Sequence, residues 1–366
     1  QSVSGTLPSH LEEAVDKAAS EISKAGSNAV VVTGIKDVNA QTVVLEINKA
    51  IASKAFDADT SLKVRQGDDK AVAKLIEDMR AGSVGAVLMN GVNPLYTLPN
   101  ASDFAEGLEK TELTVAFSLK EDETASQVQY IAAVPHYLES WGDLEIKKGH
   151  FALMQPTIRP LFDTKQFQDV LLSLLGNDSS YHDYLKNNWS ISILNGTEWS
   201  KALHDGVFVG AVSSDEDTAE ATETEAVDAS AAARALASAS SSGFELTLYS
   251  KTGLGDGQQA NNPWLQEFPD PLTRITWDNY LTVSEADAKE LGLYLDQSTF
   301  FTTARNSADG GLNGKLANVT VNGVTLENVP VMVQPGQAKG SVGLAYGYGR
   351  KAGLQEEMQT GVNAYP

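Results

Sequence analysis

The stretch Val84–Pro99, VGAVLMNGVNPLYTLP, constrains the fold more than any other part of the sequence. Its first half, residues 84–89, is an uncharged apolar run, which is typical of a strand buried on both faces of a parallel sheet. In open α/β sheets, ligands bind beyond the carboxyl ends of the strands, so we predict the candidate site in the loop that follows. From the local sequence alone, a plain strand-to-loop turn is the more frequent explanation. The candidate site residues are Asn90, Gly91, Asn93 and Pro94.

Composition and charge exclude several classes of function. The formal net charge of −21 argues against sequence-independent binding of nucleic acid and against docking on anionic lipid. The absence of cysteine excludes disulfides, thiolate zinc sites, iron–sulfur ligation and a cysteine nucleophile within these 366 residues. No apolar run is long enough to span a membrane, and the first residues lack the pattern of a signal peptide. Because the chain begins with Gln1, we expect a processed protein or one piece of a longer polypeptide.

The first part of the chain, residues 1–210, alternates between helical and strand patterns. Short connections between them predict an α/β domain with a doubly wound parallel sheet. The predicted strands lie at 29–32, 62–64, 84–89, 113–119 and 130–134. The predicted helices lie at 11–25, 39–55, 68–79, 102–108 (with Ser102 as its cap), 166–175 and in two pieces within 181–203.

Residues 211–242 interrupt this pattern with an acidic, Ala-rich and Ser-rich segment that lacks aromatic residues. Such a segment cannot bury enough apolar surface to offset its ordering entropy. We interpret it as a linker or insertion that marks a domain boundary, and its Ala-rich portion, 229–237, could form a surface helix.

Residues 243–366 carry many short strand patterns and one helix, which favours a compact β-barrel domain. The strands are predicted at 244–249, 280–283, 299–303, 316–321, 324–326, 329–333 and 341–345. Asn322-Gly323 between β-branched residues predicts a hairpin turn. Ser284 is a predicted cap for a helix over 285–291 that Gly292 ends.

No residue cluster has the spacing of a complete active site. His136 lies three residues before Glu139, a spacing that a base with its orienting carboxylate or a metal site could use, but a structural hydrogen bonder is more frequent. His150 follows as a second histidine, but the sequence places no third ligand, which argues against a metal site. His182 and His204 are predicted at the surface or a domain boundary.

Phosphate-binding and nucleophile motifs are missing as well. Gly253–Gly257 fails as a dinucleotide fingerprint because no helix opens after it. Gly343–Gly349, GLAYGYG, is predicted to be a flexible tail. The arginines are scattered, and no G-x-S-x-G motif or Walker loop occurs.

Four stretches resemble the later domains of the molybdopterin oxidoreductase superfamily. They are SNAVVVTG followed by AQTVVLEIN (27–34 and 40–48), NGVNP (90–94), DETA (122–125) and PHYLESWGD (135–143). In that family the last stretch corresponds to a strand, a proline and a Glu-x-x-Gly element. The resemblance implies that the second domain is a double-psi β-barrel, which in cofactor-bearing members helps to hold the pterin dinucleotide.

The barrel part is similar over long runs to one branch, the large iron–sulfur, molybdopterin-like subunit of alternative complex III. The runs span residues 261–293, 319–350 and 361–366. The resemblance implies a membrane-bound quinol oxidoreductase that passes electrons to a cytochrome or terminal oxidase. In that complex the iron–sulfur subunit lies at the periplasmic face of the cytoplasmic membrane, between a multihaem cytochrome and a quinol-oxidising membrane subunit.

In that branch the molybdopterin-like region has lost its metal cofactor, and the iron–sulfur clusters lie further along the subunit. We therefore expect this chain to be an interior, cofactor-free scaffold part. It would hold no metal and no catalytic residue of its own, and Asn90, Gly91, Asn93 and Pro94 would be the remnant of a pterin-side loop. Haems are expected in the partner subunits.

Two other functions stay open at this point. In a genuine molybdopterin-dinucleotide oxidoreductase, the loop at 90–93 and the barrel would grip the cofactor, and exposed polar residues such as Asp122 and Glu123 would contact it. The negative net charge weighs mildly against this function. A free-standing module that binds a small ligand is the third hypothesis. Trp264 and Trp277 are predicted core residues, with subunit contact as the alternative.

Overall fold

A computed structural model of the chain describes residues 9–57, 60–64, 67–210, 228–239, 243–293 and 315–366. These residues form two compact units. Unit 1 comprises residues 1–66, 141–155 and 182–241, and unit 2 comprises residues 67–140, 156–181 and 242–366, as far as they are described. The boundaries predicted at 210 and 243 stay predictions.

The helices agree with the helical periodicity of the sequence. They are α1 (Ser9–Ala25), α2 (Val38–Ala50), α3 (Asp69–Arg80), α4 (Pro94–Thr97), α5 (Ala101–Lys110), α6 (Phe167–Leu174), α7 (Tyr181–Asn188), α8 (Trp199–Asp205), α9 (Ala229–Ser238), α10 (Pro263–Glu267) and α11 (Glu285–Glu290). Short 3-10 helices cover Gly26–Asn28, Ala125–Gln127, Tyr137–Glu139 and Glu356–Met358, and a π-helical turn covers Trp189–Ile193.

The strands form three separate sheets. They are β1 (Ala86–Asn90), β2 (Leu113–Ser118), β3 (Tyr130–Ala133), β4 (Gly142–Lys147), β5 (His150–Met154), β6 (Val207–Val209), β7 (Glu245–Ser250), β8 (Leu281–Val283), β9 (Leu316–Val321), β10 (Val324–Val333) and β11 (Ser341–Tyr346). The strand predicted at 299–303 lies outside the described residues.

Unit 2 contains the predicted parallel sheet, with strand order β1-β2-β3. Val87 and Met89 of β1 are buried against apolar side chains of α3 and α5. The alternate residues of β1 are exposed, so the prediction of a strand buried on both faces is wrong. The reason is that the two helices cover only one face of this strand. Strands β1, β2 and β3 pair in parallel, as predicted. The doubly wound arrangement stays a prediction.

Unit 2 also contains a five-stranded mixed sheet of order β7-β11-β8-β10-β9. The predicted hairpin joins β9 and β10, and both turn residues, Asn322 and Gly323, have positive φ (48° and 87°), as its turn type requires. The two strands predicted at 324–326 and 329–333 are a single strand with an irregular register after Leu326. Leu344 and Val329 lie in the core of this sheet. A mixed β-rich domain is thus present, and its double-psi topology stays a prediction.

Unit 1 is built around an antiparallel sheet of order β4-β5-β6. Trp189 is fully buried, and its indole Nε1 donates a 2.8 Å hydrogen bond to the Asp143 carboxylate of β4. The Ala-rich stretch forms α9 as predicted, with Asp228 as its cap; this helix packs against α2, and its Ala232 is buried.

Two predicted strands of unit 1 are wrong. Residues 29–32 form no strand; instead, the Asn48 side chain bonds both the N–H and the C=O of Val31 at 2.8 Å, as a neighbouring strand would. Residues 62–64 make only an isolated bridge between Leu62 and Lys147.

Two predicted helix ends also need correction. Helix α2 stops at Ala50 rather than 55, and Ala52 just beyond it has a positive φ of 48°. Helix α5 begins after Asn100 rather than Ser102, and Asn100 makes no side-chain cap bond. By contrast, Ser284 caps α11 as the sequence predicts, whereas Asp68, predicted as the first residue of a helix, is the cap of α3.

Candidate functional site

The predicted loop leaves the carboxyl end of β1 and divides into two parts. Asn90 and Gly91 are exposed, and the Gly91 N–H donates a 3.0 Å hydrogen bond to the carbonyl of Phe117. Gly91 has φ +64°, and a Cβ built on it would meet no atom within 4 Å. The positive φ of Gly91 therefore favours glycine at this turn, and no described protein atom packs against it.

The second part of the loop, Asn93 and Pro94, is half-buried and contacts other residues of unit 2. The Asn93 Oδ1 accepts hydrogen bonds from the Thr124 N–H (3.1 Å) and hydroxyl (2.7 Å), and its Nδ2 donates to Glu123 Oε2 at 2.6 Å. Pro94 occupies the first turn of α4, where a missing N–H costs nothing. The loops after β1 and β2 thus meet through Asn93, as expected for the carboxyl ends of adjacent parallel strands.

Glu123 forms a largely buried ion pair with Arg350, which lies four residues beyond β11. The guanidinium donates to Glu123 Oε2 from Nη2 at 2.9 Å and from Nε at 3.2 Å. The backbone N–H groups of Lys351 and Ala352 donate to Oε1 at 2.9 and 3.2 Å. The side chain of Arg350 is 2% exposed and that of Glu123 is 19% exposed. Both short guanidinium bonds converge on Oε2, while Nε lies 3.4 Å from Oε1, and the contact is charge-assisted.

The glycines around this ion pair are in close backbone contact. The remaining Arg350 nitrogen, Nη1, donates to the Gly257 carbonyl at 3.0 Å. A Cβ on Gly257 would lie 2.7 Å from the carbonyl oxygen of Gly347 and 2.8 Å from the hydroxyl of Tyr96. That hydroxyl donates a 2.9 Å hydrogen bond to the Tyr348 carbonyl. The prediction of a flexible tail at 343–349 is wrong, because residues 343–346 belong to β11, where a strand was predicted at 341–345, and Gly347 packs against the Gly255 carbonyl.

Burial and charge compete at the carboxylate. Burial alone would raise the pKa of Glu123, but the hydrogen bonds from Arg350, the Lys351 N–H and Asn93 outweigh it, and the net pKa is lowered. Burial also lowers the pKa of Lys120, assisted by the nearby positive charge of Arg350. The Lys120 ammonium donates to the Gln258 carbonyl at 2.8 Å and to Asn261 Oδ1 at 2.9 Å. Glu123 is therefore an anion fixed by the protein and not a base poised near neutral pH.

The comparison with curated proteins found a relative that is similar in sequence to part of this chain. The chain is 34% identical over 147 residues to the menaquinone reductase, molybdopterin-binding-like subunit of Nitratidesulfovibrio vulgaris. The resemblance to the molybdopterin oxidoreductase superfamily is confirmed. The match covers 37% of this chain and only 21% of the relative, so the chain spans a small part of that subunit's length.

Two further comparisons assign no family to the chain. No family model matches the chain. Among solved structures, acetylene hydratase from Pelobacter acetylenicus matches with a TM-score of 0.47 at 14% identity, over 75% of this chain and 39% of that one. A likeness at that level supports no functional assignment.

His136, His182 and His204 are structural or exposed. His136 and Glu139 form a capping box on the 3-10 helix at Tyr137–Glu139, in which the carboxylate accepts from the His136 N–H at 2.9 Å. His182 stacks on Trp141 with ring centroids 4.3 Å apart, and His204 is exposed. Within the described ranges, no group of three His, Cys, Asp or Glu residues could hold a metal ion. The same residues include no helix long and apolar enough to cross a membrane.

Two predictions about exposure are wrong. Asp122 is buried, since its Oδ1 accepts from the N–H groups of Thr124 (3.1 Å) and Ala125 (2.9 Å) and caps that turn. Trp264, predicted as a core residue, is 80% exposed. Trp277 is half-buried, with a positive φ of 68°.

The sequence-based interpretation missed Arg350, which holds the candidate site together. Its ion-pair partner lies 227 positions earlier, and no local pattern links the two residues. The available signals were the DETA stretch, which follows a strand adjacent to β1, and the glycines on both sides of the Arg350 segment.

Proposed function

We propose that this chain is a cofactor-free scaffold part of a molybdopterin-like subunit in a membrane quinol oxidoreductase, specifically the iron–sulfur subunit of alternative complex III. In this proposal it lies at the periplasmic face of the cytoplasmic membrane. It contacts a multihaem cytochrome and a quinol-oxidising membrane subunit, and iron–sulfur clusters lie elsewhere in the full subunit. The name of the curated relative, a menaquinone reductase subunit, supports a place in quinone-linked electron transport.

The observation that carries the proposal is that the polar side chains at the predicted pterin-side loop bond other protein groups. A pterin dinucleotide needs polar groups that face it and glycines that let its phosphates approach the backbone. Asn93, Glu123 and Arg350 instead satisfy one another. The close approach at Gly257 is to the carbonyl of Gly347, which supports the proposal that protein backbone, rather than a dinucleotide, packs against this glycine. This pairing within the protein supports the proposal that the chain holds no pterin dinucleotide.

The chemistry of the remaining residues supports a scaffold role as well. With no cysteine in the chain and an anionic Glu123 locked against Arg350, these residues supply neither a redox ligand nor a free acid–base pair. Such a chain can position the electron carriers of other subunits. It would not carry electrons itself.

Purification of the intact complex tests this proposal. An affinity tag on the subunit that contains this chain should recover, from detergent-solubilised membranes, a complex with c-type haem absorbance and quinol-oxidising activity. Recovery of the tagged protein without haem and without quinol oxidation, from membranes that retain both, would refute it. A matched tag on an unrelated periplasmic protein is the control.

A further inference from the structure

A short surface segment of unit 2, Pro263–Leu272, presents three large apolar side chains to solvent. Trp264 is 80% exposed, Phe268 is 54% exposed and Leu272 is 83% exposed. They occur at intervals of four residues on helix α10 and the turn that follows it. Tryptophan is strongly enriched among the residues that dominate binding energy in protein interfaces. A concentration of exposed apolar side chains of this kind marks an interaction surface.

The backbone under these side chains is held firmly. Asn262 Oδ1 accepts from the Trp264 N–H at 3.0 Å and caps the helix. The buried Gln266 side chain donates to the carbonyls of Ala260 (3.1 Å) and Met358 (3.3 Å). Asp270 Oδ1 accepts from the Leu272 N–H at 2.9 Å. Hydrogen bonds therefore fix the backbone that carries the exposed side chains, which lowers the entropy cost of binding.

The charge around the segment is mainly negative. Between residues 262 and 278 the charged side chains are Glu267, Asp270, Asp278 and Arg274. Burial would raise the pKa of Asp270, but the hydrogen bonds from the Thr273 and Leu272 N–H groups outweigh it and keep that carboxyl ionised. Glu267 and Asp278 are exposed. A partner with basic residues beside its apolar ones would match this surface.

We propose that Pro263–Leu272 is a docking surface for a basic, apolar segment of another polypeptide chain. Trp264, Phe268 and Leu272 would receive its apolar side chains, and the flanking carboxylates would pair with its lysines or arginines. A second copy of this chain fits less well, because a two-fold contact would bring the same carboxylates face to face. Anionic lipid is disfavoured by the same carboxylates and by the net charge of −21.

Site-specific photocrosslinking in the native membrane complex tests this proposal. A benzophenone amino acid replaces Trp264, and the crosslinked peptide is sequenced by mass spectrometry. The expected product joins position 264 to a segment of a different chain that carries Lys or Arg beside apolar residues. Crosslinks only to a second copy, only to lipid, to an acidic segment, or to nothing would each overturn the proposal.

A second measurement separates apolar docking from mere proximity. With the benzophenone placed at Phe268, Trp264→Ala should lower the crosslink yield by about tenfold, as expected for a central aromatic anchor. Leu161→Ala, at a leucine that is 71% exposed on another segment of unit 2, is the matched control and should leave the yield unchanged. Equal yields in both variants would overturn the proposal. The readout does not depend on haem content or quinol oxidation, so this inference and the proposed function can fail separately.

Discussion

Replacement of Glu123 by glutamine should destabilise unit 2 far more than loss of an ordinary surface ion pair. Glu123→Gln keeps the shape of the side chain but removes the charge that compensates Arg350, whose side chain is 2% exposed. Removing one partner of a buried ion pair costs about 3–5 kcal/mol, because the other charge stays buried without compensation. Since Glu123 is 19% exposed, we expect the lower end, about 3 kcal/mol.

The assay compares this variant with a surface control. Glu285→Gln removes an exposed i,i+4 pair with Lys289 and should cost no more than about 0.5 kcal/mol. The free energy of unfolding is measured by urea titration, and hydrogen exchange of peptides around Asn93 and Arg350 assigns the loss to unit 2. The double variant Glu123→Gln/Arg350→Met should recover part of the loss, since it leaves no unpaired charge.

The pH dependence gives the same prediction a second readout. The folded-state pKa of Glu123 is lowered, so its contribution to stability is complete above the unfolded pKa of about 4.3. This contribution disappears as the pH falls below that value through the folded-state pKa. The wild-type chain should therefore lose stability more steeply than Glu123→Gln in that acid range. If Glu123→Gln and Glu285→Gln cost the same at pH 7, the closed-site reasoning is refuted.

Three further predictions test other parts of the structure. Burial lowers the pKa of Lys251 to about 8, below its unfolded value of about 10.4. The free energy of unfolding should therefore rise by about 3 kcal/mol between these two pH values, because only the unfolded chain keeps this proton there. Urea titrations should show the rise in the wild type and not in Lys251→Met. Gly257→Ala should cost several kcal/mol in thermal or urea unfolding, because its Cβ would meet backbone and a hydroxyl. Gly91→Ala, at a similar positive φ but with open space around it, should cost about 1 kcal/mol. Equal costs would contradict the packing described. Asn48→Ala should speed hydrogen exchange at the Val31 N–H and destabilise unit 1 by about 1–3 kcal/mol. Unchanged exchange at Val31 would contradict the proposal that the Asn48 side chain replaces a neighbouring strand.

Local chemistry made much of the fold predictable from the sequence. The Ser284 helix cap and the Asn322-Gly323 turn depend on neighbours within a few residues, and these two predictions are confirmed. The errors occur where distant residues decide. Residues 29–32 have strand composition, but a side chain from α2 takes the place of the neighbouring strand.

The candidate site shows the same limit. The sequence placed Asn93 at the carboxyl end of β1, and the rule for adjacent parallel strands could have brought it to Glu123. The arginine that completes the site lies more than two hundred residues later and has no periodic or motif signal. Whether an exposed residue such as Trp264 belongs to a core or an interface cannot be read from its type alone, because both environments favour aromatic side chains.

The content of molybdenum, tungsten and pterin in the purified native complex tests the central claim most directly. We predict metal far below one atom per subunit and no fluorescent oxidised pterin, because protein side chains and backbone fill the position around Arg350. A stoichiometric amount of either metal together with pterin would contradict this account.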